Sequence, residues 1–172
     1  MIYKPREDSF LLEKYVKKFA YGKILDMGTG SGIQALAAKT KTQDILAVDS
    51  NMEAVAHVKK LGIKALQSDL FSNVKGTFDV IICNPPYLPA AEGEDSESRQ
   101  STTGGKYGYE FIERFLKEAQ QYLKKEGIIL LVYSSLSGGI GSIAKKLGYK
   151  IEILEEQKVF FEILKVAKIS VS

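Results

Sequence analysis

The chain is poor in the residues that build covalent staples and metal cages. Its 172 residues include one cysteine, Cys83, and one histidine, His57. That count excludes an internal disulfide framework and a structural zinc cluster, so no metal site is expected. It also suits a reducing compartment. A large excess of one charge is missing too: 24 Lys and Arg against 21 Asp and Glu leave a formal net charge of +3. A dedicated nucleic-acid binder usually carries more. The lysine pairs at 17–18, 59–60, 124–125 and 145–146 are scattered and read as solvated helix faces. Long hydrophobic runs are absent. The longest, around GIILLVY, is far too short to span a bilayer, and MIYKPREDSF lacks a signal-peptide pattern, so a cytoplasmic location is expected. Proline occurs only four times, and two of the four stand together at 85 and 86.

What is present is an ordinary globular composition, 45% hydrophobic and 26% charged. A chain of this length buries roughly 70% of the surface that its unfolded form exposes. Apolar spacing alternates between helical and extended periods. SFLLEKYVKKFA reads as an amphipathic helix, with Asp8 or Ser9 as its N-cap. KILDMG, DILAVDS, IKALQSD and FDVIICN read as strands, with helices IQALAAKT and MEAVAHVKKLG between the first three. YEFIERFLKEAQQYLKK is the clearest helix. GIILLVYSS is apolar throughout, as a strand covered on both faces should be. GSIAKKLG is a short helix, and YKIEILEEQ and VFFEILKVAKI are joined too closely for a helical crossover and should pair antiparallel. The pattern predicts one α/β domain over residues 1–172: a doubly wound, Rossmann-like, seven-stranded and mostly parallel sheet ending in an antiparallel hairpin. The irregular stretch over 89–106 is long enough to be functional.

On such sheets ligands bind beyond the carboxyl ends of the strands, and the distinctive residues gather there. LDMGTGSG places Asp26, Gly28, Gly30 and Gly32 after the first strand. Ile33 stands where a dinucleotide G-x-G-x-x-G needs its third glycine, which disfavours a nicotinamide cofactor. Asp26 would repel a pyrophosphate and attract a cation. The second strand ends at Asp49 and Ser50; a carboxylate there can accept both hydroxyls of a ribose, or either residue can cap the next helix. Asp69, followed by Leu70, ends the third strand and can accept from the exocyclic amine of an adenine.

The fourth strand runs into Asn84, Pro85, Pro86 and Tyr87. The prolines fix φ and remove backbone donors, which leaves a rigid corner whose carbonyls can accept. Asn84 adds a side-chain acceptor and Tyr87 a flat face, a set that suits a planar substrate bearing an NH2 group. His57, mid-helix, reads as a surface residue, and Cys83, inside an apolar strand, as a packed thiol.

LDMGTGSG, VDSN, SDL and NPPY, in this order, resemble the class I S-adenosylmethionine-dependent methyltransferases that modify amino nitrogens. YKPREDSFLLE and TGGKYGYEFIERF narrow the resemblance to the HemK-related glutamine methyltransferases of the eukaryotic and archaeal branch. The resemblance implies the fold just described, with a cofactor-covering segment and helix over residues 1–20. It implies S-adenosyl-L-methionine as cofactor and S-adenosyl-L-homocysteine as product. Ser9, Asp26 and Gly28 would line the methionine part, with Gly30 and Gly32 completing the loop; Asp49 and Ser50 would hold the ribose, and Asp69 and Leu70 the adenine. Asn84 would serve both cofactor and substrate. With the Pro85 carbonyl, and with Pro86 and Tyr87 shaping the corner, it would bind the glutamine amide of a Gly-Gly-Gln motif in a class I peptide chain release factor. The family also implies a small zinc-binding activator subunit on the free edge of the third strand. Bacterial members carry an additional N-terminal substrate-binding domain. Here selection would fall to 89–106, to the N-terminal segment or to another subunit.

NPPY chemistry serves amino-methyltransferases of DNA or RNA equally well. Against that alternative stand the small net charge and the acids Glu92, Glu94, Asp95 and Glu97, which would repel a phosphate backbone.

Overall fold

The computed structural model describes residues 1–90 and 102–172. Most of the stretch over 89–106, including Glu92, Glu94, Asp95 and Glu97, lies outside the described residues.

Seven strands form one sheet in the order β3-β2-β1-β4-β5-β7-β6. β1 (Ile24–Met27) is central, parallel to β2 (Ile45–Asp49) on one side and to β4 (Phe78–Cys83) on the other. β3 (Lys64–Gln67) adds in parallel outside β2, and β5 (Leu123–Ser134) adds in parallel outside β4. β7 (Glu162–Val171) then runs antiparallel between β5 and the edge strand β6 (Tyr149–Val159). Strand order reverses between β1 and β4, so their carboxyl ends flank the place where such sheets bind ligands. The inner strands are buried on both faces: Val80, Ile81, Ile82 and Leu130–Val132 have no exposed surface. That is why their sequences are continuous apolar runs rather than alternating ones. The architecture is the α/β fold that the sequence pattern predicts.

Helices α1 (Glu7–Phe19), α2 (Ile33–Lys39), α3 (Met52–Lys60), α4 (Glu110–Ala119) and α5 (Ile140–Lys146) cover the sheet. α1 buries Leu11, Leu12, Tyr15 and Val16, the stripe read from its spacing. Its N-cap is Arg6, not Asp8 or Ser9, because both of those side chains turn inward in the first turn. α3 is capped by Asn51, whose side chain accepts from the Glu53 amide at 2.9 Å, rather than by Asp49 or Ser50. Gly62 follows α3 at φ +75, the left-handed ending its sequence suggests.

Two element boundaries differ from the sequence pattern. The helix expected to reach Lys125 stops at Ala119, and after a 3₁₀ turn the chain is extended from Leu123. Leu123 enters the core, Lys124 pairs with Asp79 at 2.8 Å and Tyr21 donates to the Glu126 carbonyl at 3.1 Å. These tertiary contacts override the helical propensity of the lysine pair. The C-terminal hairpin turns at Phe160–Phe161, so Val159 closes β6 rather than opening β7. His57 is half-buried on α3, and Cys83 is buried with its thiol pushed up by burial and, secondarily, by nearby Asp26.

Candidate active site

A cavity of about 1140 Å³ opens at the carboxyl ends of β1, β2, β3 and β4. Its floor is Gly28–Ser31, Asp49–Asn51, Ser68–Leu70 and Asn84–Leu88. The N-terminal strap from Met1 to Phe10 forms one wall, and Val159, Phe160, Glu162 and Leu164 of the terminal hairpin form part of another. Small-molecule sites usually span roughly 300–1,000 Å³, so this one has room for a cofactor and a substrate side chain together.

The glycine loop is left-handed at Gly28, Gly30 and Gly32. A Cβ on Gly28 would meet nothing within 4 Å, so that position opens the cavity floor. A Cβ on Gly32 would stand 3.0 Å from Val58 and 3.2 Å from Leu61, so that glycine lets α2 approach α3 and does not line the cavity. Asp26 is 1% exposed and lies beneath the loop rather than in the cavity wall. Its Oδ2 accepts from the Thr29 hydroxyl at 2.6 Å. Burial pushes its carboxyl up to about 7, against the opposing pull of Thr29 and of the Ala35 amide.

Asp49 does line the cavity. Its Oδ2 accepts from the Gly30 amide at 2.9 Å and its Oδ1 from the Asn51 amide at 2.9 Å. A carboxylate has about four lone-pair sites, so two remain for a ligand. Ser50 lies beside it in the wall, and its carbonyl accepts from Gln67. Asp69 stands at the rim, and Arg114 of α4 grips both its oxygens at 3.1 and 2.9 Å. Leu70, buried and at φ +46, presents itself to the cavity from an unusual backbone conformation for a branched residue.

The fourth-strand corner is braced from three sides. Ser137 donates to the Tyr87 carbonyl at 2.8 Å. Gly104 approaches so closely that a Cβ there would stand 2.7 Å from the Pro86 carbonyl oxygen. Gly108, at φ +92, leaves only 2.8 Å between its would-be Cβ and the Tyr87 carbonyl oxygen. These contacts give the TGGKYGYEF segment its function: its glycines let it pack directly against the corner. Asn84 lines the cavity, and its Nδ2 donates to Ser9 Oγ at 3.4 Å. No hydrogen bond to Asn84 Oδ1 or to the Pro85 carbonyl occurs among the described residues.

Tyr87 is mostly buried but lines the cavity, and its hydroxyl donates to Asp8 at 2.9 Å. Burial and then the neighbouring Asp8 carboxylate hold its hydroxyl far above the usual tyrosine value. Tyr3 donates to the same carboxylate at 3.2 Å. Ser9 lines the cavity, as its sequence context implies, and its carbonyl accepts from Gln34 at 2.9 Å. The Oε1 of Gln34 is buried without a partner among the described residues, on a residue that also lines the cavity. Tyr3, Gln34, Gly104 and Arg114 have no signature of their own in the sequence. Asp8 carried a signal only as a candidate N-cap of the first helix.

Comparison with known proteins decides the family. The methyltransferase small domain matches residues 7–165. The chain belongs to this family. It is 42% identical, over 96% of its length and 89% of the relative's, to a Methanocaldococcus jannaschii protein provisionally named a protein N5-glutamine methyltransferase. It is 36% identical, over 74% of its length, to the release factor glutamine methyltransferase of Rhodopirellula baltica, and spans only 50% of that bacterial relative. Among solved structures, the E. cuniculi Mtq2–Trm112 complex, described as responsible for methylation of the eRF1 translation termination factor, shares the fold. It matches with a TM-score of 0.82 over 99% of both chains at 23% identity. The HemK-like reading of the motif order therefore stands, and the enzyme is a methyltransferase.

Proposed function

We propose that this methyltransferase moves a methyl group from S-adenosyl-L-methionine to the side-chain amide nitrogen of a glutamine, in the Gly-Gly-Gln motif of a class I peptide chain release factor. The supporting observation is the state of Asn84. Its NH2 end is engaged by Ser9 while its carbonyl end, on a cavity-lining residue, carries no bond among the described residues. That is an acceptor set out for an NH2 group.

The residues fit the cofactor. The open position above Gly28 and the spare acceptor sites of Asp49 line one continuous cavity. Gly28–Ser31 with Ser9 would hold the methionine part, Asp49 and Ser50 the ribose, and Asp69 and Leu70 the adenine. When bound, the cofactor supplies an electrophilic methyl group. Asp26 and Gly32 serve this reading from beneath, by shaping the loop.

The rest is done by the chain. An amide nitrogen is a poor nucleophile because its lone pair is delocalised into the carbonyl. Asn84 Oδ1 and the Pro85 carbonyl accept from its two hydrogens, fix its plane, and stabilise positive charge as it develops on the nitrogen. One of those protons is lost to solvent after the transfer, with S-adenosyl-L-homocysteine as the leaving group. The proline corner, braced by Ser137, Gly104 and Gly108, holds these acceptors still, so the site spends little on reorganisation.

We also place a small zinc-binding activator subunit on β3. That strand is a sheet edge of four residues, and an edge strand offers unpaired main-chain donors and acceptors to an incoming strand. The deciding experiment is mass spectrometry of a purified release factor after incubation with enzyme and cofactor, with and without the activator, beside DNA and RNA as acceptors. One added methyl on the Gly-Gly-Gln glutamine is the expected result. Methylated nucleic acid with an unmodified release factor would refute the assignment.

A further inference from the structure

Asp8 is 4% exposed and lies where the N-terminal strap meets the fourth-strand corner. Its Oδ2 accepts from the Tyr87 hydroxyl at 2.9 Å and from Tyr3 at 3.2 Å. Its Oδ1 accepts from the Ser9 amide at 2.6 Å and from the Ser9 hydroxyl at 3.1 Å. Ser9 Oγ in turn lies 3.4 Å from Asn84 Nδ2 and 3.4 Å from the Arg6 amide, both of which donate to it. One buried carboxylate thus reaches both ends of the Asn84–Tyr87 corner, directly at one end and through a hydroxyl at the other.

The proton count along this chain is decisive. A serine hydroxyl has one proton. A carboxylate can only accept, so Asp8 takes that proton and leaves Ser9 Oγ nothing to offer but lone pairs. Asn84 must then turn its NH2 end toward Ser9, which leaves its carbonyl end for the cavity. We propose that Asp8 is the positioning residue that sets the amide orientation of Asn84 and so makes the site an acceptor of a substrate NH2 group. This rests on the glutamine reading above. Without Asp8 the Ser9 hydroxyl is free to rotate and donate to Asn84 Oδ1. The amide flips, and an NH2 donor then faces the substrate NH2, two donors with no acceptor between them. The bonds from Tyr3 and Tyr87 to the same carboxylate tie this setting to the strap.

The test uses kinetics and a spectroscopic arm. With cofactor saturating, Asp8→Ala should lower kcat by about 100-fold, the scale of a misplaced catalytic group. S-adenosyl-L-homocysteine affinity by calorimetry should stay within about threefold. The double variant Asp8→Ala/Ser9→Ala removes the misdirected hydroxyl as well, and should be more active than Asp8→Ala and equal to Ser9→Ala. A residue that merely supports the fold gives the opposite order, with the double variant the worst of the three, and that result overturns the proposal. Loss of S-adenosyl-L-homocysteine binding in step with kcat overturns it too.

The second arm is the Asn84 side-chain ¹⁵N–¹H signal pair in the S-adenosyl-L-homocysteine complex, assigned by its loss in Asn84→Ala. It should shift in Asp8→Ala and, if that variant does not fold, in Ser9→Ala; unmoved signals overturn the proposal. This arm needs no methyl acceptor. It reports on Asp8 even if the release factor proves not to be the substrate, so the two failures are told apart.

Discussion

The Asp49 carboxylate accepts from the main-chain amide of Gly30 at 2.9 Å, so the end of β2 is fastened to the glycine loop that follows β1. The residue whose sequence position suggests a ribose acceptor also shapes the loop beside it. Asp49→Ala should therefore weaken S-adenosyl-L-homocysteine binding by at least about 10-fold, the scale of one lost charged hydrogen bond, and lower the melting temperature as well. Calorimetry on the purified variant, beside a thermal melt, checks both. Unchanged affinity would remove Asp49 from the cofactor site.

Asn84→Ala should separate binding from turnover. The lost acceptor acts where charge develops, and removing one such group typically costs on the order of 100- to 1,000-fold in kcat. Affinity for S-adenosyl-L-homocysteine should change little, since Asn84 is only one of many residues around the cavity. A parallel fall in both quantities would place Asn84 in cofactor binding instead.

Two glycines of one loop should fail in different ways. Gly28→Ala puts a methyl group into open space at φ +71, so it should cost about 1–2 kcal/mol of strain while obstructing the cofactor. Gly32→Ala carries a similar strain and also drives a methyl to 3.0 Å from Val58, so it should destabilise by about 2–4 kcal/mol and leave the affinity of the folded fraction near normal. Denaturant midpoints and calorimetry on the two variants should give opposite rankings.

Asp26 should make stability fall as pH rises. Its carboxyl titrates at about 7 in the folded protein against 3.8 as its ordinary value, because burial favours the neutral form. Between these values the folded state keeps a proton that the unfolded state has released. The stabilisation is complete below about pH 4, declines by about 1.4 kcal/mol for each pH unit gained, and is gone above about pH 7. Asp26→Asn cannot titrate and still offers Thr29 an acceptor. Relative to the wild type it should gain stability steadily from pH 4 to pH 7, measured by chemical denaturation. A difference that does not vary with pH would show that Asp26 titrates normally.

Much of the fold was legible because its signals are local. Apolar runs such as FDVIICN mark strands covered on both faces, and left-handed Gly28 and Gly62 mark the end of the first strand and of the helix before the third. Leu123–Glu126 misled because their extended form comes from distant partners, Asp79 and Tyr21, which no window of sequence contains. The site was legible where a residue acts through its own chemistry, as with Asn84 and Asp49. It was not legible where two distant segments share one group. Asp8 and Tyr87 lie 79 residues apart, and Asp69 and Arg114 lie 45 apart. Tyr87, read as offering a flat face, is also held by its hydroxyl, through a partner that no local window of sequence contains.

The placement of β7 has a consequence for assembly. This strand follows the other six in the sequence, yet it lies inside the sheet, and it pairs with Ile129 to Ser134 along the flank of β5. Without Glu162–Val171 in place, β5 shows unpaired main-chain donors and acceptors along a mostly apolar run, the kind of edge that pairs with other chains. Any product that lacks those ten residues should therefore be a target for chaperones or aggregation.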